Sequence, residues 1–339
     1  MQTRLIGFLA LALVLLAGPG DAQSLRPEIA TRAVTEGPFP KPQPVFPWGV
    51  KVLPDLIYGR AAAPHPLLLD LYLPAGSNVT PRPLVVFIHG GDWNSGSRRA
   101  NGAFVNWPLA LASLAARGYV VASIDYRLAA EATFPAQIMD VKDAIRWLRS
   151  KAGVYGIDRA RVAVWGAEAG GQLAALTAVS CGAAGFERQT NGAPVNTAIG
   201  GAATAPSPAD ESACVQAAVS WSGAYDLLRM ADMAAANNYL GCAGAACNPQ
   251  RRLASPVSYV DKTAPPMLIV HGMTDTFIPV SQAARMNAVM QDAGASAELV
   301  LVPDVGQGLI GTDEERTRDA SQLAWQRTVD FFARTLLRP

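Results

Sequence analysis

The apolar positions of this chain fall into short runs separated by longer amphipathic stretches. Leu84 to Ile88 and Val162 to Trp165 are unbroken apolar runs, and read as strands buried on both faces. Tyr119 to Ile124, Val215 to Trp221, Met267 to Val270 and Glu298 to Val302 read as further strands. Upstream, Val50 to Tyr58 and Leu67 to Leu73 predict a strand pair, the second ending at Pro74-Ala-Gly76. Between these runs the period changes. Gln137 to Lys151 places Ile138, Val141, Ile145 and Trp147-Leu148 on one helical face. Pro108 to Arg117 predicts a helix stopped by Gly118. The Ala/Leu-rich stretch around Gln172 to Leu176 predicts another helix. Two more are expected at Val280 to Asp292 and Thr312 to Leu337, the latter opened by a Thr312-x-x-Glu315 capping box. Strands alternating with helices imply an α/β fold with a mostly parallel sheet covered on both faces.

Composition sets the limits of this picture. A chain of 339 residues, half of them hydrophobic, can build one large core. The segmentation gives a signal peptide over 1–22, a proline-rich arm over 23–54 and one domain over 55–339. A low-complexity stretch, Gly182 to Asp210, reads as a loop insertion near 182–213. The net charge of +1, with Arg98-Arg99 and Arg251-Arg252 as the basic pairs, excludes a nucleic-acid footprint. Arg4, the apolar stretch Leu5 to Ala17 and the small residues before Ala22 form the pattern of a secretory signal. The competing reading, a membrane anchor, is disfavoured by the shortness of the run, and nothing later is long and apolar enough to span a bilayer. The expectation is export to a periplasmic or extracellular space.

Export makes the four cysteines informative. Cys242 and Cys247 lie close together in a Gly/Ala loop and are expected to pair, leaving Cys181 to meet Cys214 across the insertion. The alternative is four free thiols. No cysteine has a histidine nearby in sequence and there is no C-x-x-C, so neither a metal nor a cofactor is expected.

The chemistry concentrates in Arg161-Val-Ala-Val-Trp-Gly166-Ala167-Glu168-Ala169-Gly170-Gly171. A strand passes into a helix through glycines with almost no room to turn, which is the setting of a nucleophile elbow. Such an elbow carries Gly-x-Ser-x-Gly, and here the central residue is Glu168. His89-Gly90-Gly91-Asp92-Trp93 directly follows the Leu84 strand. The N–H groups of Gly90 and Gly91, with that of Ala169, are placed to form an oxyanion hole, and His89 reads as a residue that shapes the loop.

These motifs bring a resemblance. Leu69-Asp-Leu-Tyr-Leu-Pro74, Val86-Phe-Ile-His-Gly-Gly91, Asp125-Tyr-Arg-Leu128, Phe134-Pro-Ala136, Asp140 to Leu148, Tyr155-Gly-Ile-Asp158 and Ile269-Val-His-Gly272-Met-Thr-Asp275 stand in order along the chain. Together they resemble the α/β-hydrolase fold family, in its carboxylesterase and feruloyl-esterase-like (BD-FAE-like) group. The resemblance implies a triad in the order Ser, Asp, His. Asp275 fits the acid, although a plain turn residue would also suit that place, and His271 reads as part of the strand-end motif. The other two positions depart: Glu168 replaces the serine, and Gln307 stands in Gly306-Gln307-Gly308 where the family has Gly-His-Gly. The chain's three histidines, His65, His89 and His271, all precede the last strand.

A glutamine amide has no protonation equilibrium near neutral pH and cannot act as general base. A carboxylate at the elbow can turn into the oxyanion hole, where helix N-terminus and N–H donors favour its ionised form against desolvation. Gln307 could donate to both Glu168 and Asp275. The expected molecule is therefore a pseudo-hydrolase that keeps the pocket but lacks serine-type turnover. The alternatives are an ester hydrolase working on small acyl or aryl esters through a non-standard site, and a non-catalytic protein binding a small ester or aromatic acid in the same pocket. Drift or deliberate replacement could equally have produced the two changes, and the oligomeric state is left open.

Overall fold

The computed structural model describes residues 46–59, 65–76, 80–102, 104–186, 208 and 211–337. The expected signal peptide, most of the proline-rich arm and most of the 182–213 insertion lie outside the described residues. Eight strands form one sheet: β1 (Lys51–Gly59), β2 (Leu67–Leu73), β3 (Arg82–Ile88), β4 (Val120–Ile124), β5 (Ile157–Ala167), β6 (Ala217–Trp221), β7 (Met267–Gly272) and β8 (Ala297–Val302). Their order is β1-β2-β4-β3-β5-β6-β7-β8. β1–β2 and β2–β4 pair antiparallel and every later pair is parallel. The unbroken apolar runs are the central strands. β4 and β6 are buried throughout, because helices cover both faces of the sheet.

The helices are α1 (Trp107–Ala115), α2 (Ala136–Ser150), α3 (Ala152–Tyr155), α4 (Ala169–Val179), α5 (Ala234–Leu240), α6 (Asn248–Ala254), α7 (Ser281–Asp292) and α8 (Glu314–Leu336). Every residue of α4 is buried. Such a helix has no polar face to orient it, and its position is set by the turn that delivers it. On one side of the sheet Trp107 of α1 packs with Phe87, Trp165 and Trp221, largely edge to face, and α8 covers the same face; on the other, α2 and α4, the latter through Leu173, join Ile88 and Val164.

One sequence expectation shifts. α8 begins one residue later than the Thr312-x-x-Glu315 box predicts: the Asp313 side chain accepts from the Arg316 N–H, because a carboxylate caps in the same way and stands nearer the helix start. Arg98, Arg99 and Arg251 of the basic pairs are structural. Arg98 binds Asp55, Asp70 and Asp125, and Arg99 binds Asp55 and Asp70, which ties the loop after β3 to β1 and β2. Buried Arg251 donates to the carbonyls of Gly244 and Ala231. The four cysteines stand in the two expected pairs, Cys181–Cys214 and Cys242–Cys247. Among the described residues no helix is long and apolar enough to cross a membrane.

Candidate functional site

The site forms at the carboxyl ends of the parallel strands, where loops leave the sheet together. β5 turns directly into α4 through Glu168, whose φ of 53° and ψ of −116° lie outside the ordinary regions for an L-residue. The turn closes only because of its glycines. A Cβ on Gly166 would collide with the Gly170 carbonyl, and one on Gly170 with the carbonyls of Ile88 and His89. The Glu168 N–H donates to the Trp221 carbonyl at 2.7 Å, which fixes the elbow to β6.

The Glu168 side chain turns toward the loop after β3. The Gly91 N–H donates to Glu168 Oε2 at 3.2 Å. A Cβ on Gly90 would stand 2.8 Å from the same oxygen, so this glycine must stay bare for the carboxylate to lie there. The other oxygen reaches Gly308: a Cβ on that glycine would stand 3.2 Å from Oε1. Of the three expected donors, Gly90, Gly91 and Ala169, Gly91 is the one that bonds the carboxylate among the described residues. With one N–H donor on the carboxylate instead of three, burial is the larger influence on its proton. Burial raises the Glu168 pKa above the usual carboxylate range, the single Gly91 bond opposes it, and the charges of Asp92 and Asp275 push it further up.

Asp275 follows β7, its side chain fully buried. Oδ1 accepts from the N–H groups of Phe277 at 2.9 Å and Ile278 at 2.8 Å, so this oxygen does shape a turn. Oδ2 is buried with no partner and stands 3.8 Å from His271 Nε2. That nitrogen lies 2.8 Å from the Ile278 carbonyl and therefore carries the hydrogen and donates to it. His271 thus braces the turn, and burial lowers its pKa. His89 stacks on Tyr126 and lies 2.7 Å from the Gly90 carbonyl, a loop-shaping position; burial lowers its pKa too. His65 is exposed and reaches Glu131 at 2.6 Å, away from the site.

The expected Gln307 bridge is absent. Gln307 opens a short 3₁₀ turn, Gln307–Leu309, and among the described residues its amide donates neither to Glu168 nor to Asp275. The glutamate side chain sets two more carbons than serine between Cβ and oxygen, and this reach brings Oε1 beside Gly308. Among the described residues the space beside Glu168 is small. The cavity at Glu168, walled by Phe104, Trp221, Ser222 and Leu309, has a volume of about 10 Å³. Such a space holds at most a single water.

Three residues here were not singled out from sequence. Asp92, in the His-Gly-Gly loop, has a positive φ, a buried Oδ1 without a partner, and a pKa raised by burial and by Asp275. Ser222 follows β6 with φ at 48° and its hydroxyl buried and unpaired. Their positions at the carboxyl ends of parallel strands were the available signal. Phe104, which walls the cavity, lies in an irregular loop and had none. No group of three or more His, Cys, Asp or Glu among the described residues could hold a metal ion.

Comparison with known proteins agrees with this architecture. The profile of the BD-FAE family matches residues 69–290. Esterase LipC of Mycobacterium tuberculosis is 34% identical over 261 residues, 74% of this chain and 59% of its own length. Esterase LipQ of the same organism is 31% identical over 71% of this chain and 53% of its own length. The chain thus spans between half and three fifths of these curated relatives. Among solved structures, a truncated carbohydrate esterase from gut microbiota superposes with a TM-score of 0.67 at 27% identity, over 85% of this chain and 96% of that one.

Proposed function

Because the chain belongs to the BD-FAE family of esterase-type α/β-hydrolases, we propose that it is a non-hydrolytic member whose oxyanion hole is occupied by its own Glu168 carboxylate. The observation that carries this reading is the Gly91 N–H donating to Glu168 Oε2. In the serine-type reaction that N–H would receive the negative oxygen of a tetrahedral intermediate. A carboxylate already there competes with the transition state for the same donor. No histidine follows β8 to take a proton, and Asp275 Oδ2 is left facing no partner. The small cavity favours this reading over a ligand-binding role for the same pocket. Export to a periplasmic or extracellular space belongs to the proposal; the two disulfides support it.

The test is a four-protein series assayed with an aryl acetate: wild type, Glu168→Ser, Gln307→His and the double substitution. Wild type and both single variants are expected to be nearly inert. The double variant should gain a factor on the order of 10³ or more, strongly non-additive because triad members act as a unit. Glu168-dependent turnover of many equivalents by the wild type would overturn the proposal, and would favour an ester hydrolase with a non-standard site.

A further inference from the structure

A much larger cavity lies beside the small one at Glu168. An open groove of about 1030 Å³ runs between α1 and α8, at the upper end of the size of small-molecule pockets. Phe104 walls both this groove and the small cavity at Glu168. Leu109 on α1 and half-buried Trp325 on α8 continue the apolar wall. At the rim, Val105 is fully exposed and Trp48 is 58% exposed.

Trp48 is the least expected of these. It sits in the left-handed region, φ 66° and ψ 14°, where a bulky aromatic residue is an outlier. Such strain persists where the surroundings enforce it, and it clusters at binding sites. The Trp48 indole stands exposed at the mouth of the apolar groove.

The polar groups of the groove indicate the head of a ligand. α8 lines it from Glu314 to Trp325, a length of about 16 Å at 1.5 Å per residue. Arg318 is exposed, and its contact with Asp319 is a loose 3.8 Å pair between two exposed side chains, worth little. Its guanidinium fork is therefore available to a carboxylate. Asp313 is already engaged by Arg316, while Glu314, one turn before Arg318, is the acid that opposes an anion.

We propose that this groove binds a free long-chain carboxylate. Its alkyl chain lies along Phe104, Leu109 and Trp325 under the Trp48 indole, and its carboxylate pairs with Arg318. Nothing is bonded or cleaved. The inference does not depend on the reading of Glu168, since the ligand stays on the far side of Phe104.

Titration of the full chain with laurate, read by tryptophan fluorescence and by calorimetry, tests it, with dodecylamine and dodecanol as head-group controls. Saturable laurate binding below its micelle concentration is expected, tighter than either control. Ala110→Trp, which fills the groove, should weaken it at least about tenfold. Val105→Asp, at a fully exposed position that folding does not depend on, should weaken it in the same direction. Arg318→Glu should weaken laurate and tighten dodecylamine. Absence of saturable binding, or binding indifferent to both Ala110→Trp and Val105→Asp, would overturn the site. Equal affinity for the three head groups, or no change with Arg318→Glu, would overturn the carboxylate.

Discussion

Glu168 is held between two opposing forces. The Gly91 N–H and the start of α4 favour its anion, while burial beside Asp92 and Asp275 favours the neutral acid. Burial is the larger cause, so the folded protein keeps this proton to higher pH than the unfolded chain does. Between those two pKa values the folded state binds more protons, and stability must fall as pH rises. Glu168→Gln removes the group and should flatten that part of the profile. The difference in slope can reach at most about 1.4 kcal/mol per pH unit. Urea unfolding of both proteins from acid to neutral pH measures it, and identical slopes would refute the account. Asp92, also raised by burial, contributes the same sign in both proteins, and because its charge interacts with Glu168 the measured difference belongs to the pair. His271 contributes the opposite sign in each, since its pKa is lowered and acid destabilises the fold.

At the scale of elements, the elbow depends on the close approach of α4 to β3. The contact has no side chain between backbone and backbone: a Cβ on Gly170 would meet the Ile88 and His89 carbonyls, which cannot move without breaking the loop of the oxyanion donors. Gly170→Ala should therefore cost about 3 kcal/mol or more by overpacking. Gly153→Ala in α3, where nothing stands within reach of a Cβ, should be neutral or stabilising by up to about 1 kcal/mol. Paired denaturant curves give the contrast. Equal effects would mean that the elbow relaxes, and that Glu168 is not held in its strained conformation by its neighbours.

Across the whole molecule, one sheet carries the site on loops from five strands, and the cross-links lie away from it. Cys181–Cys214 closes a 33-residue separation between the end of α4 and the start of β6. On the loop-entropy account, replacing both cysteines by serine should cost about 3–4 kcal/mol. The lining of the Glu168 cavity contains none of the four cysteines, so the double revertant should keep its gained esterase activity in that background. Thermal unfolding and the aryl acetate assay read the two effects separately. Loss of activity in a still-folded protein would show that the bridge shapes the site.

The alternation of apolar runs with amphipathic stretches determined the sheet, its mostly parallel sense and the order of its helices, because burial on two faces leaves a direct mark in each strand. The elbow was legible for the same reason: glycines at Gly166, Gly170 and Gly171 are demanded by the turn itself. The roles of His89 and His271 as braces also followed from their local motifs. What the Glu168 carboxylate touches was decided by tertiary structure alone. Sequence placed three N–H donors and the Gln307 amide around it, yet it reaches one donor and the bare face of Gly308. A side chain's reach depends on distances between loops from different strands, which no single stretch encodes. The sign of its pKa shift depends on burial and on Asp92 and Asp275, distant in sequence and adjacent in space. The wall of the small cavity at Glu168 is likewise tertiary. Phe104, Ser222 and Leu309 come from three separate loops, and they meet only because the sheet delivers those loops to one edge.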